Sequence, residues 1–539
     1  MNSDSGKFIW WKHGVFYQIY PRSFMDSNGD GIGDLQGILS RLDYLSELGV
    51  DALWISPIFS SPMVDFGYDV SDYKDVHPMF GDMATFDRLL AAAHERNLRV
   101  VLDYVPNHSS DQHPWFIESR SGRDNPKRDW YIWRDAKPDG SPPNNWDAIF
   151  GGSAWEWDER SQQYYLHSFL KEQPDLNWRN PKVIEAMHDV LRFWLDKGVD
   201  GFRMDAVMCC LKHADFPDNP VIKQDSPLKP FGFRLEPLYS MNQPDIHAML
   251  RQFRSLFDSY AGERVMIGET WLFELPELVK YYGEKLDEFQ IPFNFMSTML
   301  PWNAAEMKQF ISAYYEAVPK GALPNFVFGS HDIHRLATRF GPENHRSVAM
   351  LLLTVRGIPT MYYGDELGME DVDVPLDRRQ DPWGINKPGL NLGRDPERTP
   401  MQWDASPNAG FSLPGVETWL PVAKNYREVN AAAQQHDPVS TLNFYKALLE
   451  LRREMPALFR GDFAFVDEVP DDVMAYVRSA EGQRVLVVIN FQSSEVALDL
   501  SSLGDSGKQL LSSRFMEPDR VVLTELSLNP HESVLISLR

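Results

Sequence analysis

Cysteine is nearly absent: the only two in this chain of 539 residues, Cys209 and Cys210, are neighbours. Adjacent residues rarely satisfy disulfide geometry, which argues against a disulfide-stapled extracellular scaffold and for a reducing, cytoplasmic setting. Long hydrophobic runs are missing too. No stretch of about 18 apolar residues occurs, and the opening MNSDSGKFIWWKHGVFYQIY holds no apolar segment followed by a cleavage site. Neither a membrane span nor a leader is expected. Basic residues are outnumbered, 53 against 77 acidic, for a net charge of −24. So negative a chain repels nucleic acid and anionic membrane, and a neutral or cationic ligand fits better.

What is present is enough apolar material, 43% of residues, for one large domain and one or two smaller ones. Eight short apolar runs recur: GVFYQIY from Gly14, VDALWISPI from Val50, LRVVLDYVPNH from Leu98, VDGFRMDAV from Val199, RVMIGET from Arg264, DEFQIPFNF from Asp287, NFVFGSHD from Asn325 and GIPTMYYGDE from Gly357. Amphipathic stretches lie between them. The best marked, NPKVIEAMHDVLRFWLDKG, has Asn180 as N-cap, Pro181 in the first turn and Gly198 as stop. Eight strand-helix units predict an α/β (β/α)8 TIM barrel, with a doubly wound sheet as the alternative. The gap after the third run is too long for one helix and is rich in Trp, Pro, Gly and Asp, so residues 109–178 are expected to form an inserted subdomain. Residues 1–108 and 179–460 then make the barrel. VMAYVRS, QRVLVVINF and SVLISL predict a C-terminal antiparallel β-sandwich over 461–539.

The loop DSNGDGIGDLQGI places hard oxygens on Asp26, Asn28, Asp30 and Asp34, with glycines between them that let the Ile32 carbonyl turn inward. This donor set suits Ca²⁺ or Mg²⁺. An EF-hand would need a bidentate Glu at loop position 12, where Gly37 stands, and a helix on both sides. Here a strand precedes the loop, and Leu35, Ile38, Leu39, Leu42, Leu45 and Leu48 predict one helix after it. The loop reads as a structural bolt between strand and helix.

Three runs end in carboxylates: Asp205, Glu269 and Asp332. A lone strand-end acid is more often a cap or a solvated charge. Three converging on one barrel mouth repel one another, and retaining glycoside hydrolysis needs just such crowding, with one carboxylate ionised as nucleophile and one protonated as acid. Arg203 lies two residues before Asp205 on the same strand face, where it would hold the aspartate ionised. His108 and His331 close their strands beside polar groups and can hydrogen-bond sugar hydroxyls.

With DYVPNH, GFRMDAV, IGET, SHD and QPDLN in this order, the sequence resembles the α-amylase family of glycoside hydrolases, family 13, over essentially its whole length. QPDLN is similar to the α-glucosidase and oligo-1,6-glucosidase branch. The resemblance implies Asp205 as nucleophile, Glu269 as general acid/base and Asp332 as the third acid. It also implies that Arg203, His108 and His331 bind the glucose at the cleavage point, with Tyr68 stacked on its ring. Asp65 and Arg398 are similar to the pair that closes the pocket behind that glucose. The branch carries a structural Ca²⁺ or Mg²⁺ in the first strand-to-helix loop, and no organic cofactor is implied. One position departs from the pattern: Ser330 stands where many members have Asn. Ala206, after the nucleophile, is the small residue that accompanies α-1,4 preference in this branch.

These features imply an exo-acting α-glucosidase that releases glucose from maltose-like substrates through a covalent glucosyl-enzyme, with some transfer to sugar acceptors. A glucosyl transferase or isomerase of the sucrose isomerase or trehalose synthase type, and an oligo-1,6-glucosidase, share the same core and are the close alternatives. A non-catalytic transporter subunit would carry a membrane anchor and lack the acids. A metal-responsive binding protein would need an EF-hand-like geometry.

Overall fold

Each of the eight apolar runs contains one strand: β1 (Phe16–Ile19), β2 (Ala52–Ile55), β3 (Arg99–Tyr104), β4 (Gly201–Met204), β5 (Val265–Thr270), β6 (Ile291–Asn294), β7 (Asn325–Val327) and β8 (Ile358–Tyr362). The computed structural model describes residues 7–515 and 520–538. The strands are hydrogen-bonded in the order β6-β5-β4-β3-β2-β1-β8-β7, every pair parallel. β6 and β7 lie side by side at the seam, where Ser297 Oγ donates to the Val327 carbonyl at 2.6 Å. The expected (β/α)8 barrel is therefore the observed fold.

Alternation along each strand sorts the side chains into two cores. Phe16, Trp54, Val101, Ile267, Phe293 and Val327 point inward and pack on one another. Tyr17, Leu53, Val100, Leu102, Phe202 and Met266 point outward onto the helices. The same inward alternation, continued one step along the strands, places Gln18, Asp103, Arg203 and Glu269 on top of the apolar layers, at the C-terminal mouth. All four are buried.

The helix over Pro181–Lys197 has the expected ends: the Asn180 side chain accepts from Lys182 N, and Gly198 adopts φ +103°. The single helix expected after the metal loop is instead two, Leu35–Ser40 and Leu42–Leu48, broken at Arg41 (φ −111°, ψ 9°). Within 109–178 lie the helix Pro114–Arg120 and a three-stranded antiparallel sheet of Trp133–Arg134, Gln163–Leu166 and Trp155–Asp158.

Beyond Phe459 a six-stranded antiparallel sheet begins with Asp462–Phe465 and is covered on one face by the strand pair Val496–Leu498 and Leu526–Leu528. Ala475, Leu486, Val488 and Ile536 fill that two-layer interior, while Met474, Tyr476, Val487 and Leu535 on the other face join the barrel's outer core. Among the described residues the second layer of the sandwich is this strand pair, and the barrel covers the other face of the sheet. No helix among the described residues is long and apolar enough to cross a membrane.

Candidate active site

Strand register brings the first acids together. Asp103 of β3 pairs directly with Arg203 of β4, and Met204 of β4 with Gly268 of β5. One step further Asp205 and Glu269 stand side by side on neighbouring strands, which lie about 4.8 Å apart. Arg203 is 1% exposed and bonds to all three acids: Asp103 at 2.7 Å, Asp205 at 2.7 Å and Glu269 at 2.9 Å. Glu269 also accepts from Trp271 Nε1 at 2.8 Å and from the Ala206 backbone N–H at 2.6 Å. That N–H faces Glu269 because Ala206 sits in the left-handed region, φ +41° and ψ +33°.

Three carboxylates around one guanidinium cannot all be ionised cheaply. Burial first, then Glu269, pushes Asp205 well above the usual carboxylate range against the pull of Arg203. Burial likewise lifts Asp103 to about 6, with Arg203 opposing. The cluster as a whole retains a proton, as a site that needs one acid and one base must.

Asp332 has the opposite setting. Burial would raise it, but its surroundings, His331, Arg394 at 2.9 Å and Arg398 at 2.8 Å, outweigh burial and hold it below the carboxylate range. His331 is itself kept neutral by burial. We therefore assign the ionisation of Asp332 to the two arginines.

The expected Asp65–Arg398 pair is not what closes the pocket. Asp65 lies against Arg394, at 3.5 Å, and Arg394 also bonds Asp381 at 2.6 Å. Arg398 is fully buried behind Asp332 and donates through Nε to the His331 carbonyl at 2.7 Å. It holds the His331–Asp332 turn and does not line the cavity, whereas Arg394 does. Arg203 is likewise behind the acids and off the lining. Its place is with the carboxylates, not with the ligand.

The remaining candidates do meet at the cavity. Asp69 shapes their loop by accepting from Ser61 Oγ, Val64 N and Asp65 N. Tyr68 lies parallel to His331, at 3° and 5.7 Å between ring centroids, and its hydroxyl reaches His331 Nε2 at 2.8 Å and Asp103 at 3.1 Å. Gln18 meets His331 Nδ1 at 2.6 Å. Ser330 serves the turn itself, its Oγ accepting from Asp332 N at 3.2 Å. His108, lowered by burial to about 4 and hence neutral, contacts the Tyr68 carbonyl at 3.1 Å and Gln173 Nε2 at 3.0 Å. Gln173 of QPDLN also donates to Asp65 at 3.0 Å and so ties the inserted stretch to the pocket floor.

Four functional positions escaped the sequence reading. Asp103 alternates with inward-facing Val101 and was recognisable in principle. Arg394 and Asp381 carry no such signal, whereas Gln173 opens the QPDLN stretch without a contact being assigned to it. Together these groups line or back a cavity of about 370 Å³, a volume within the range of small-ligand sites, whose outer part is aromatic: Phe150, Phe231, Trp271 and Trp383.

The glycine-rich loop lies elsewhere. Asp26 is buried and accepts from the backbone N–H groups of Asn28, Gly29 and Gly31 and from Ser412 Oγ. Asn28 Oδ1 accepts from Asp30 N, Asp30 from Ile32 N, and Asp34 caps the following helix through Gly37 N. At Gly31, φ +88°, a Cβ would meet the Glu417 carbonyl at 2.1 Å. The loop is thus clamped against residues 411–419, and none of its residues lines the cavity that holds the acids. Its oxygens suit a hard cation in kind, and no hydrogen bond to the Ile32 carbonyl is found among the described residues. Asp26, Asp30 and Asp34 do not by themselves gather three carboxylate oxygens within 4.8 Å of one another; the amide of Asn28 and the Ile32 carbonyl would have to complete the set.

Against known proteins, the family profile described as Alpha amylase, catalytic domain, matches residues 18–461, and that of Maltogenic Amylase, C-terminal domain, matches 463–535. Maltase 1 of Drosophila virilis is 41% identical, over 98% of this chain and 87% of its own. Oligo-1,6-glucosidase of Parageobacillus thermoglucosidasius is 38% identical, over 98% and 99%. The crystal structure of trehalulose synthase MutB from Pseudomonas mesoacidophila MX-45 superposes with a TM-score of 0.89 at 38% identity, over 99% of this chain and 100% of that one.

Proposed function

The chain belongs to the α-amylase family of glycoside hydrolases, and from that premise we propose that it is a retaining, exo-acting α-glucosidase that releases glucose from maltose-like α-1,4 oligosaccharides. The observation that carries this reading is the side-by-side placement of Asp205 and Glu269 around Arg203, in a cavity closed at its inner end by Asp65, Arg394 and Asp332.

Retaining enzymes hold their two carboxyls about 5 to 5.5 Å apart, and placement on neighbouring parallel strands about 4.8 Å apart, both bonded to Arg203, supports that role for Asp205 and Glu269. Asp205 attacks the anomeric carbon as the bond to the glycosidic oxygen breaks, and Glu269 gives that oxygen its proton. Water then attacks the glucosyl-Asp205 ester, returning its proton to Glu269 and freeing Asp205. In the attacking state Asp205 is the ionised member of the cluster, and Arg203 at 2.7 Å compensates its charge against the burial that favours the protonated form. The neutral imidazoles of His108 and His331, ionised Asp332, and Asp65 present acceptors and donors to the glucose hydroxyls, and the Tyr68 ring faces its apolar C–H side. With Asp65, Arg394 and Asp332 closing its inner end, the cavity favours a non-reducing terminal glucose over an internal unit of a long chain.

The aromatic outer wall favours a side reaction in the same site. Phe231 stacks with Trp383 at 21° and with Phe273 at 28°, forming a platform for a second sugar that competes with water for the glucosyl group. Trehalulose synthase and oligo-1,6-glucosidase among the relatives make isomerisation and α-1,6 cleavage the competing assignments.

A hard cation, Ca²⁺ or Mg²⁺, would be held by Asp26, Asn28, Asp30, the Ile32 carbonyl and Asp34, where it would neutralise the loop's carboxylates and brace its docking on 411–419. Two unpaired, buried cysteines favour a cytoplasmic location. A time course resolving the products from maltose, isomaltose, sucrose and trehalose tests the assignment. Glucose from maltose as the dominant product is expected, and sucrose isomers or a preference for isomaltose would overturn it.

A further inference from the structure

Three side chains with no part in the reaction meet beside the mouth. His334 lies two residues after Asp332, Asp371 lies in the connection after β8, and Glu397 belongs to the single turn Pro396–Arg398. One ligand atom from each falls within 4.8 Å of the other two. His334 Nδ1 is 2.7 Å from Asp371 Oδ2 and 3.6 Å from Glu397 Oε2. Glu397 is 2% exposed, yet its Oε2 and the facing His334 Nδ1 both lack an aligned hydrogen-bond partner. Buried polar atoms are nearly always satisfied. Two orphaned lone-pair atoms turned toward each other, with a second carboxylate alongside, call for a shared electrophile.

We propose that His334 Nδ1, Asp371 Oδ2 and Glu397 Oε2 form a binding site for a divalent transition-metal ion of the zinc class, separate from the hard-oxygen loop at Asp26–Asp34. One imidazole with two carboxylates is a donor set for Zn²⁺ or Co²⁺, where Ca²⁺ takes oxygens alone. Tetrahedral ligands about 2.0 Å from zinc stand roughly 3.3 Å apart, and the observed 2.7 and 3.6 Å bracket that spacing. Asp371 is already oriented, because its other oxygen accepts from Arg335 N at 2.9 Å, the outer support that metal ligands commonly have. The His334 side chain, 40% exposed, leaves one flank for entry and for a water in the fourth position. Bound metal would pin together the connections that carry Asp332 and Arg398, which makes the site a brace and not a catalyst.

The test uses the untagged full-length protein, stripped with chelator and then saturated with Ca²⁺ to fill the loop. Titration with Co²⁺ should show one further equivalent bound, with visible d–d absorption, and Zn²⁺ should displace it and raise Tm. Both effects should vanish in His334→Ala and in Glu397→Gln and persist in Asp30→Asn. Absence of a second equivalent overturns the proposal, as does binding that survives both substitutions or is lost in Asp30→Asn. If Glu397→Gln fails to fold, the half-exposed His334→Ala decides alone, with retained maltose turnover as its check on folding.

Discussion

Asp65 carries a charge that the fold pays for and the reaction uses, and Asp65→Asn separates the two. The side chain is buried, and burial lifts its pKa from the usual 3.8 to about 7; Arg394 opposes the rise, while Asp69 and Asp381 add to it. In the unfolded chain the group titrates near 3.9. Above pH 7 it is ionised in both states, so the folded state bears the whole difference, on the order of 4 kcal/mol at about 1.36 kcal/mol per pKa step. At pH 5.5 the folded chain keeps the proton that the unfolded chain has lost, and about 2 kcal/mol remains. The relative stability is thus greatest below the unfolded value and is lost as pH rises through 7. Asn preserves the shape without the charge and removes the penalty. Unfolding entropy of about 2.1 cal/mol/K per residue comes to roughly 1.1 kcal/mol/K over 539 residues. Scanning calorimetry of both proteins should therefore give Asp65→Asn a Tm about 2 °C higher at pH 5.5 and about 4 °C higher at pH 8.5. Activity should move the other way: loss of the ionised acceptor costs about 2 to 5 kcal/mol, or roughly 30- to 5,000-fold in kcat/KM on maltose, and the deficit should narrow as pH falls below 7. A Tm gap that is flat or shrinks with rising pH would refute the reasoning.

Asp205→Asn should lower kcat at least about 10⁴-fold while circular dichroism stays native, since Arg203 keeps Asp103 and Glu269; a mechanism-based glucosyl label found on any other residue would reassign the nucleophile. Ala206→Val puts a β-branched residue at φ +41°, which should cost roughly 1–2 kcal/mol in stability and shift the maltose-to-isomaltose ratio of kcat/KM about 10- to 200-fold toward isomaltose; an unchanged ratio would place linkage choice elsewhere. Chelation of the loop cation should lower Tm by about 2 °C, the effect of losing a ligand held at about 100 times its Kd, with turnover intact below the transition; immediate loss of turnover in folded protein would give the ion a part in the chemistry.

The barrel was legible because each strand is a contiguous run whose inward and outward residues are both apolar, and the acids were legible because they end such runs. Asp205, Glu269, Asp332, Tyr68, His108 and His331 all face one cavity. The arginines were not separable. Arg394 and Arg398 stand four apart in GRDPERTPMQW, in a long connection without periodicity, and nothing local says which one reaches Asp65. The break at Arg41 was hidden for a similar reason, since the leucine spacing continues through it at helical period.

By itself, then, the sequence determined what depends on near neighbours: strand alternation, the caps at Asn180 and Gly198, the Asx-rich loop at Asp26–Asp34, and the order of the strand-end acids. Only the tertiary structure decided what depends on register and loop docking between distant segments. Parallel pairing of β4 with β5 sets Asp205 beside Glu269. The fold of the connection over residues 363–411 seats Arg394 against Asp332 and Asp65 while Arg398 goes behind them, and it carries Glu397 to His334 and Asp371. Charge pairing in a buried site is set by position to within an ångström or so, and that position is a property of the packed chain and not of any one stretch of it.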